Sequence, residues 1–353
     1  MSPKIECDIV LLTWNRADLL KPCVERILRF TDVPSRLLLV DNASTEPEAV
    51  EYQQRLKGNG TVQVEVIRRT HNDGFSKGIN EGLRRATAPW VCLMNNDVLV
   101  AQGWLSEMIR VAKAHPEIGL LNPMSNEFGA WPGRGETIDQ AGERVRPRRG
   151  EWTEFWNCVG FCALMPRQIL EKVGMLDEEF GFMYYEDADY SLRVRQAGYC
   201  CGIALGAYAY HIGSATMSRN PDKERLFEAN KELFRKKWGL PRSERIAWLM
   251  PQGHNHFDDS LKQREQIRFL ANQDHIVWVY CTPYNKSAVP RHLNVFCEVL
   301  PAPVCVPVAL LKILLKKKGF QRLILSSDKQ PSSWMHWVGR ITKTRVETPP
   351  SHV

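Results

Sequence analysis

Five polar clusters punctuate the first 215 residues of this chain, and all but the last directly follow or closely trail a short apolar run. They read Thr13-Trp14-Asn15-Arg16, Asp41-Asn42-Ala43-Ser44, Asn72 through Asn80, Asn95-Asn96-Asp97 and Glu186-Asp187-Ala188-Asp189. A short apolar run closed by polar residues reads as a buried strand that ends in a loop. In open α/β sheets, ligands bind outside the carboxyl ends of the strands. Clusters set at such ends, drawn from distant parts of the chain, therefore describe one composite site. The residue types suit a nucleoside diphosphate, a divalent cation and a catalytic carboxylate.

The rhythm of the chain supports a sheet of this kind. Strands are expected at Cys7–Thr13, Arg36–Val40, Val62–Ile67, Trp90–Met94 and Ile118–Leu121. Helical spacing covers Leu19–Phe30, Pro47–Leu56, Phe75–Ala86 and Trp104–Ala114. Strands alternating with helices in this way predict an α/β fold with a parallel, doubly wound sheet. Residues 122–157, rich in Gly, Pro, Arg and Trp, break the alternation and read as a long irregular loop. Regularity returns with a strand at Val159–Met165, helices at Arg167–Val173 and Asp187–Ala197, a strand at Tyr208–His211 and a helix at Asp222–Trp238. Residues 246–353 read as a separate, smaller α/β stretch. Its expected strands are Ile246–Met250, Ile276–Tyr280, Leu293–Glu298 and Leu323–Leu325, and its helices Ser260–Asn272 and Pro307–Lys318. It has no phosphate loop and is short for a complete second nucleotide-binding domain. The expected division is 1–245 and 246–353.

Bulk properties narrow the class. The length of 353 residues accommodates about two domains. No apolar run approaches the roughly 18 residues of a membrane span. Met1-Ser2-Pro3-Lys4 leads almost at once into a strand, which predicts no signal peptide. Ten cysteines lack metal spacing and fit a reducing cytoplasm. Residues 251–353 hold 8 Lys and 6 Arg against 4 Asp and 3 Glu, which is the whole net charge of +7. Residues 1–250 are thus formally neutral and give no sign of nucleic-acid binding.

Each cluster has a bland reading beside a functional one. Asp41 and Asn42 could close a turn, or accept from a base N–H or ribose hydroxyl. In Asn72–Asn80, backbone N–H groups around Gly74 suit phosphates or a sugar ring; alternatively Gly78 lets the helix pack closely on a strand. Asn95-Asn96-Asp97 could be a strand-end turn, or oxygen ligands for Mg²⁺ or Mn²⁺ bridged to phosphates. Glu186, Asp187 and Asp189 open a helix, where acids are favoured by the macrodipole. Three are more than a cap needs, and Asp187 is a candidate general base. His211, at a strand end, is a metal ligand or a core histidine.

Taken in order over about 240 residues, these pieces resemble the inverting GT-A glycosyltransferases of family 2, especially the rhamnosyltransferase-like branch. The matching text runs through Val10-Leu11-Leu12-Thr13-Trp14-Asn15-Arg16, Val40-Asp41-Asn42-Ala43-Ser44, Asn72-x-Gly74-Phe75-x-x-Gly78-x-Asn80-x-Gly82 and Leu93-Met94-Asn95-Asn96-Asp97-Val98. It continues with Gly160-Phe161-Cys162-Ala163-Leu164, Val173-Gly174-Met175-Leu176-Asp177, Tyr185-Glu186-Asp187-x-Asp189-x-x-x-Arg193 and His211-x-x-x-Ala215. Residues 246–353 lie outside it. The resemblance implies a GT-A domain and transfer of a sugar from a UDP- or dTDP-linked donor to a hydroxyl of a glycan or lipid-linked acceptor, in bacterial surface polysaccharide synthesis. It implies that Thr13, Asn15, Arg16, Asp41, Asn42, Asn72, Gly74, Asn80 and Asn96 surround the nucleotide sugar. Asp97 and His211 would hold Mg²⁺ or Mn²⁺, Asp187 would be the base, and Glu186, Asp189 and Trp156 would shape the acceptor side. Trp131 and Trp152 are further stacking candidates, and Arg193 is expected to pair with an acid. The family's metal motif often carries two aspartates, whereas here only Asp97 is charged. Weak cation binding without nucleotide is therefore expected.

Two rivals follow. A sugar nucleotidyltransferase shares the architecture but needs a glycine-rich, basic triphosphate loop, which Thr13-Trp14-Asn15-Arg16 is not. A non-catalytic sugar- or nucleotide-binding subunit would use the C-terminal stretch to dock a partner. In that stretch Lys312, Lys316, Lys317 and Lys318 flank Leu310, Leu311, Ile313, Leu314 and Leu315. This is either a basic amphipathic helix touching anionic lipid or a protein, or a buried helix with a basic end. The expected location is cytoplasmic, with peripheral contact at the inner membrane face under the first reading.

Overall fold

The structure is a computed structural model. It describes residues 4–348 except 156, 214–221, 241–242, 251–262, 265, 268, 272, 274, 291–293, 317–318 and 327–338. The chain forms two compact units, Met1–Phe234 and Arg235–Val353. Trp156, Ala215, Lys317 and Lys318 lie outside the described residues, as do parts of the helix expected over Ser260–Asn272.

The first unit begins β1 (Cys7–Thr13), α1 (Ala17–Phe30), β2 (Ser35–Asp41), α2 (Pro47–Arg55), β3 (Val62–Arg68), α3 (Phe75–Arg85) and β4 (Trp90–Asn95). Then come β5 (Val98–Val100), α4 (Trp104–Ala114), β6 (Ile118–Met124), α5 (Ile138–Val145), β7 (Trp152–Glu154), β8 (Cys162–Pro166), α6 (Arg167–Val173), α7 (Glu186–Gln196), β9 (Cys200–His211) and α8 (Lys223–Trp238). The sheet order is β3-β2-β1-β4-β8-β6-β9-β5, with β7 also paired to β9.

The doubly wound expectation holds for β3, β2, β1 and β4, which are parallel. Beyond β4 the sheet is mixed. Strand β8 runs antiparallel to both β4 and β6. Strand β8 enters the sheet from its carboxyl edge, with Cys162 opposite Met94. A parallel entry would need a full crossover back to the amino edge. The stretch expected as one irregular loop holds a helical turn at Asn126–Phe128, α5 and β7. Helix α5 starts on a capping box, with Thr137 and Gln140 satisfying each other's backbone N–H groups.

Close packing fixes where the strand ends point. A Cβ at Gly78 would lie 2.4 Å from Leu12 Cδ1, and one at Gly82 2.4 Å from Val10 Cγ1. Both glycines therefore let α3 settle onto β1. Strand β1 is buried along nearly its whole length, as strands covered by helices on both faces are.

The second unit contains β10 (Arg245–Met250), β11 (Ile276–Cys281), β12 (Val295–Val299), α9 (Cys305–Leu315), β13 (Arg322–Leu325) and β14 (Arg345–Glu347). Its five strands are all parallel, in the order β12-β11-β10-β13-β14. Strand β14 was not visible in the sequence pattern because it is three residues long, Arg345-Val346-Glu347, and carries one apolar side chain.

Candidate active site

Backbone strain marks the site. Six non-glycine residues in the described chain have positive φ: Asn15, Arg16, Ala43, Tyr184, Tyr185 and Lys343. Three of these fall in the strand-end clusters singled out from sequence, and Tyr184 and Tyr185 directly precede the Glu186 cluster. Left-handed backbone costs a non-glycine residue about 1–2 kcal/mol. Such strain persists only where surrounding contacts over-determine it, commonly at functional sites.

At the end of β1, Thr13 Oγ1 accepts from Asn96 Nδ2 at 3.1 Å, and Thr13 O accepts from Asn42 N at 2.8 Å. The first, second and fourth clusters are thus stitched together. Asn15 Oδ1 accepts from the backbone N–H groups of Thr45 and Glu46. Buried Asp41 accepts from Ser44 N and pairs with Arg68. Asn42 donates to Asn72 Oδ1 and Gly74 O. Gly74, at φ +94°, meets the backbone of Gly181 and Phe182: a Cβ there would lie 2.5 Å from Gly181 O. Phe75 N also donates to Phe182 O at 3.0 Å. In this conformation Gly74 holds the loop before Glu186 rather than presenting an open cradle.

The structure does not bring Asn80 or Asp189 into the same opening. Asn80 is buried, donates to Leu176 O and Glu178 Oε1, and accepts from Leu176 N. Asp189 is buried and pairs with Arg193 Nε at 2.9 Å, the partner expected for that arginine. Trp152 packs over Gly202, whereas Trp131 stands exposed beside a cleft of about 550 Å³ lined by Arg134, Glu136, Gln140 and Arg144.

Asp97 and His211 meet across the β5–β9 ladder, where Val98 pairs with His211. Asp97 Oδ1 is buried without a hydrogen-bond partner and lies 3.3 Å from His211 Nε2. The other ring nitrogen, Nδ1, is 2.8 Å from Glu127 Oε1. Burial opposes charge on His211, but the flanking carboxylates of Asp97 and Glu127 outweigh it and raise its pKa to about 9. Asn126 grips the His211 backbone on both sides, accepting from its N–H and donating to its C=O. Phe161 stacks on the imidazole at 5.0 Å.

The donor set fits a hard divalent cation. A buried carboxylate oxygen and an imidazole nitrogen converge at 3.3 Å, and the far nitrogen is held by a second carboxylate, as in many histidine metal sites. Among the described residues no group of three or more His, Cys, Asp or Glu is placed to hold an ion. The remaining ligands of a cation here would come from phosphate and water, which suits Mg²⁺ or Mn²⁺.

Glu186 and Asp187 occupy the first turn of α7 beside a narrow apolar cleft lined by Phe75, Leu93, Leu120, Ala163 and Leu176. Burial, then the neighbouring Asp187 charge, pushes Glu186 up to about 8. Its Oε2 has no partner. Burial also raises Asp187, opposed by N–H donors. Gly160 N donates to Oδ2 at 3.0 Å, and Ala188 N to Oδ1 at 2.7 Å. Gly160-Phe161 thus ties the carboxylate pair to the histidine pair, and Phe161 O accepts from Asn95 N.

Sequence reasoning missed Glu127, Asn126, Gly160's contact with Asp187, and Asn230. The one available signal for the first two was that Ser125-Asn126-Glu127 also follows a strand end, that of β6. Asn230 on α8 is buried and donates to the carbonyls of Phe180, Met183 and Tyr184. Phe227 of the same helix packs on Tyr184 and Tyr185, and Phe234 on Tyr185. Helix α8 therefore holds the strained tyrosine pair that leads into Glu186 and Asp187.

A parallel half-sheet continued by a mixed sheet, with an Asp–His pair at the carboxyl edge and carboxylates at the start of α7, has the architecture of the GT-A fold. The family model for glycosyl transferase family 2 matches residues 8–174, a little under half of the chain. Among relatives, an uncharacterized protein, y4gI, from Sinorhizobium fredii is 26% identical over 65% of this chain, a match spanning 27% of that protein. An N-acetylglucosaminyl-diphospho-decaprenol L-rhamnosyltransferase from Mycobacterium tuberculosis is 24% identical over 60% of this chain and 78% of its own length. Among solved structures, a mannosyltransferase from Pyrobaculum calidifontis, determined with GDP-Man and Mn²⁺, shares the fold at a TM-score of 0.52. It has 14% identity, and the match covers 96% of this chain and 81% of that one.

Proposed function

We propose that this chain is an inverting glycosyltransferase that moves a sugar, of the rhamnosyl or hexosyl type, from a UDP- or dTDP-linked donor to a hydroxyl of a glycan or lipid-linked saccharide in bacterial surface polysaccharide synthesis. Residues 1–245 carry the reaction in this reading. The observation that carries it is the Asp187–Gly160-Phe161–His211–Asp97 chain of contacts. It sets a desolvated carboxylate opposite a cation-type donor pair, across the carboxyl edge of the sheet. The activity of the Mycobacterium tuberculosis rhamnosyltransferase relative points the same way.

The reaction is a single displacement. Asp187, raised by burial yet held by two N–H donors, accepts the acceptor hydroxyl proton as that oxygen attacks the anomeric carbon. Attack from the side opposite the diphosphate inverts the anomeric centre. Glu186 keeps a proton to higher pH than an ordinary carboxyl and can donate a hydrogen bond to an acceptor or sugar hydroxyl. Asp97 and His211 would hold the divalent cation, and Glu127 fixes the imidazole with Nε2 toward Asp97. Such a cation supplies neutralisation of the charge that develops on the leaving nucleoside diphosphate. Thr13, Asn15, Arg16, Asp41, Asn42, Asn72, Gly74 and Asn96 shape the donor side through the network they form. Asn80 and Asp189 act from behind as scaffold, because their polar groups are engaged by Leu176 and Glu178 and by Arg193.

Asp187→Asn tests the reading. Turnover falls by roughly 10²–10⁴ while donor binding persists, if general-base catalysis has its usual weight. Unchanged turnover removes Asp187 from the mechanism. Nucleotide binding without any product from the wild-type chain, across a panel of saccharide acceptors, favours the non-catalytic subunit instead.

A further inference from the structure

Helix α9 is apolar on more sides than its fold requires. Cys305, Ala309 and Ile313, four residues apart, are buried against Ala247, Leu249, Tyr280 and Leu323 of the second unit's sheet. That stripe accounts for the packing. Along another side, Val304, Leu311, Leu314 and Leu315 are 41%, 55%, 43% and 73% exposed. Spacings of seven, three and four residues place them on one continuous flank. Isolated exposed leucines are ordinary, but a contiguous apolar strip on a monomer's surface marks an interaction site.

The charge around the strip selects its partner. Between Glu298 and Asp328 the sequence has Lys312, Lys316, Lys317, Lys318 and Arg322 and no acid. Lys312 pairs with Glu298. Lys316 sits over the Trp278 ring, which stacks on Phe296, an aromatic side chain itself 43% exposed. Residues 235–353 hold 19 Lys and Arg against 8 Asp and Glu, so this unit is +11 and the first 234 residues are −4. Lys312 and Lys316 are turned to the sheet, so it is the unit's net charge of +11 beside an exposed apolar strip that complements an anionic bilayer interface. A second copy of the chain fits poorly, because symmetric pairing of the strips would bring two units of net charge +11 together.

We propose that α9 docks the second unit on an anionic phospholipid surface, with Leu311, Leu314 and Leu315 entering the headgroup–acyl boundary and the unit's net positive charge drawing it to lipid phosphate. No helix among the described residues is long and apolar enough to cross a membrane, so attachment by this helix is peripheral. The proposal rests on the transferase reading only for its purpose, which is to bring the enzyme to a lipid-linked acceptor.

The test is co-sedimentation of the full chain with phosphatidylcholine vesicles, with and without phosphatidylglycerol, for wild type and Leu311→Gln/Leu315→Gln. UDP binding with Mn²⁺ is measured on the same preparations. Wild type is expected to sediment only with phosphatidylglycerol, to be released by salt, and to lose about tenfold or more of its partitioning in the variant. UDP binding should be equal in both proteins, which also shows that the variant is folded. Absence of vesicle binding by wild type overturns the proposal, as does equal binding by the variant. Salt-insensitive self-association that the variant abolishes, without vesicle binding, overturns it in favour of a second copy. Loss of UDP binding by wild type with vesicle binding intact would count against the transferase reading alone.

Discussion

Replacing Asn230 by Leu should damage both stability and turnover, although Asn230 lies far in sequence from the carboxylates. Its amide nitrogen contacts three carbonyls, those of Phe180, Met183 and Tyr184, with only two hydrogens to offer. Leucine has nearly the same shape, so no cavity term of consequence enters. What is lost is satisfaction of the carbonyls. A buried carbonyl left bare costs about 1–3 kcal/mol, and the two partly accessible ones less. The sum is about 2–4 kcal/mol, a large share of a domain's usual 5–15 kcal/mol. The same bonds restrain Tyr184 and Tyr185 at φ 75° and 71°. Once released, each can relax from left-handed backbone by about 1–2 kcal/mol, which turns the start of α7 and moves Asp187 off the Gly160 N–H. A displacement near 1 Å at a reacting group costs about 10²-fold in rate. Urea unfolding, donor calorimetry and steady-state turnover on one preparation check the argument. The expected result is a lower midpoint, unchanged donor affinity and a kcat reduced at least tenfold. A lower midpoint with wild-type kcat would show that the tyrosine pair does not aim Asp187. An unchanged midpoint together with wild-type kcat would refute the carbonyl accounting itself, because relaxation of the tyrosine pair can offset the lost bonds only by moving Asp187.

Other perturbations separate the remaining roles. Glu127→Ala should weaken Mn²⁺-dependent nucleotide binding by about 10–100-fold, with Glu127→Gln retaining more because its amide oxygen still accepts from His211 Nδ1–H; calorimetry reads both. Glu186 binds its proton more tightly folded than unfolded, so its contribution to stability is full below pH 4.5 and is lost as pH rises toward about 8. Glu186→Gln should flatten that decline in urea titrations between those pH values, and an unchanged slope would show that Glu186 is not buried as drawn. Gly74→Ala forces a methyl to within 2.5 Å of Gly181 O at φ +94°; it should cost about 1–3 kcal/mol and lower turnover, measured by thermal unfolding and product formation.

Much of the site was legible because strand ends are local features. An apolar run followed by Thr13, Asp41 or Asn95-Asn96-Asp97 needs no tertiary knowledge to read. Other parts depended on neighbours that sequence does not name. Asn80 and Asp189 have the same residue types as ligands would, and only the fold shows Leu176 and Glu178 engaging the first and Arg193 the second. Strand β8 looked like any apolar run; its reversed direction comes from where the preceding loop delivers the chain. Glu127 was hidden in a stretch without periodicity, and its meaning appears only when β5 and β9 bring Asp97 and His211 together. Residues 235–353 showed apolar runs but not their all-parallel order, which no local pattern encodes.

The most direct test of the central claim is calorimetric titration of the full chain with UDP, dTDP and GDP, with and without Mn²⁺, alongside Asp97→Ala. The account predicts that one uracil or thymine nucleotide binds in a Mn²⁺-dependent manner and that Asp97→Ala abolishes this dependence. Binding of none of the three, or equal metal-dependent binding by the variant, would contradict it.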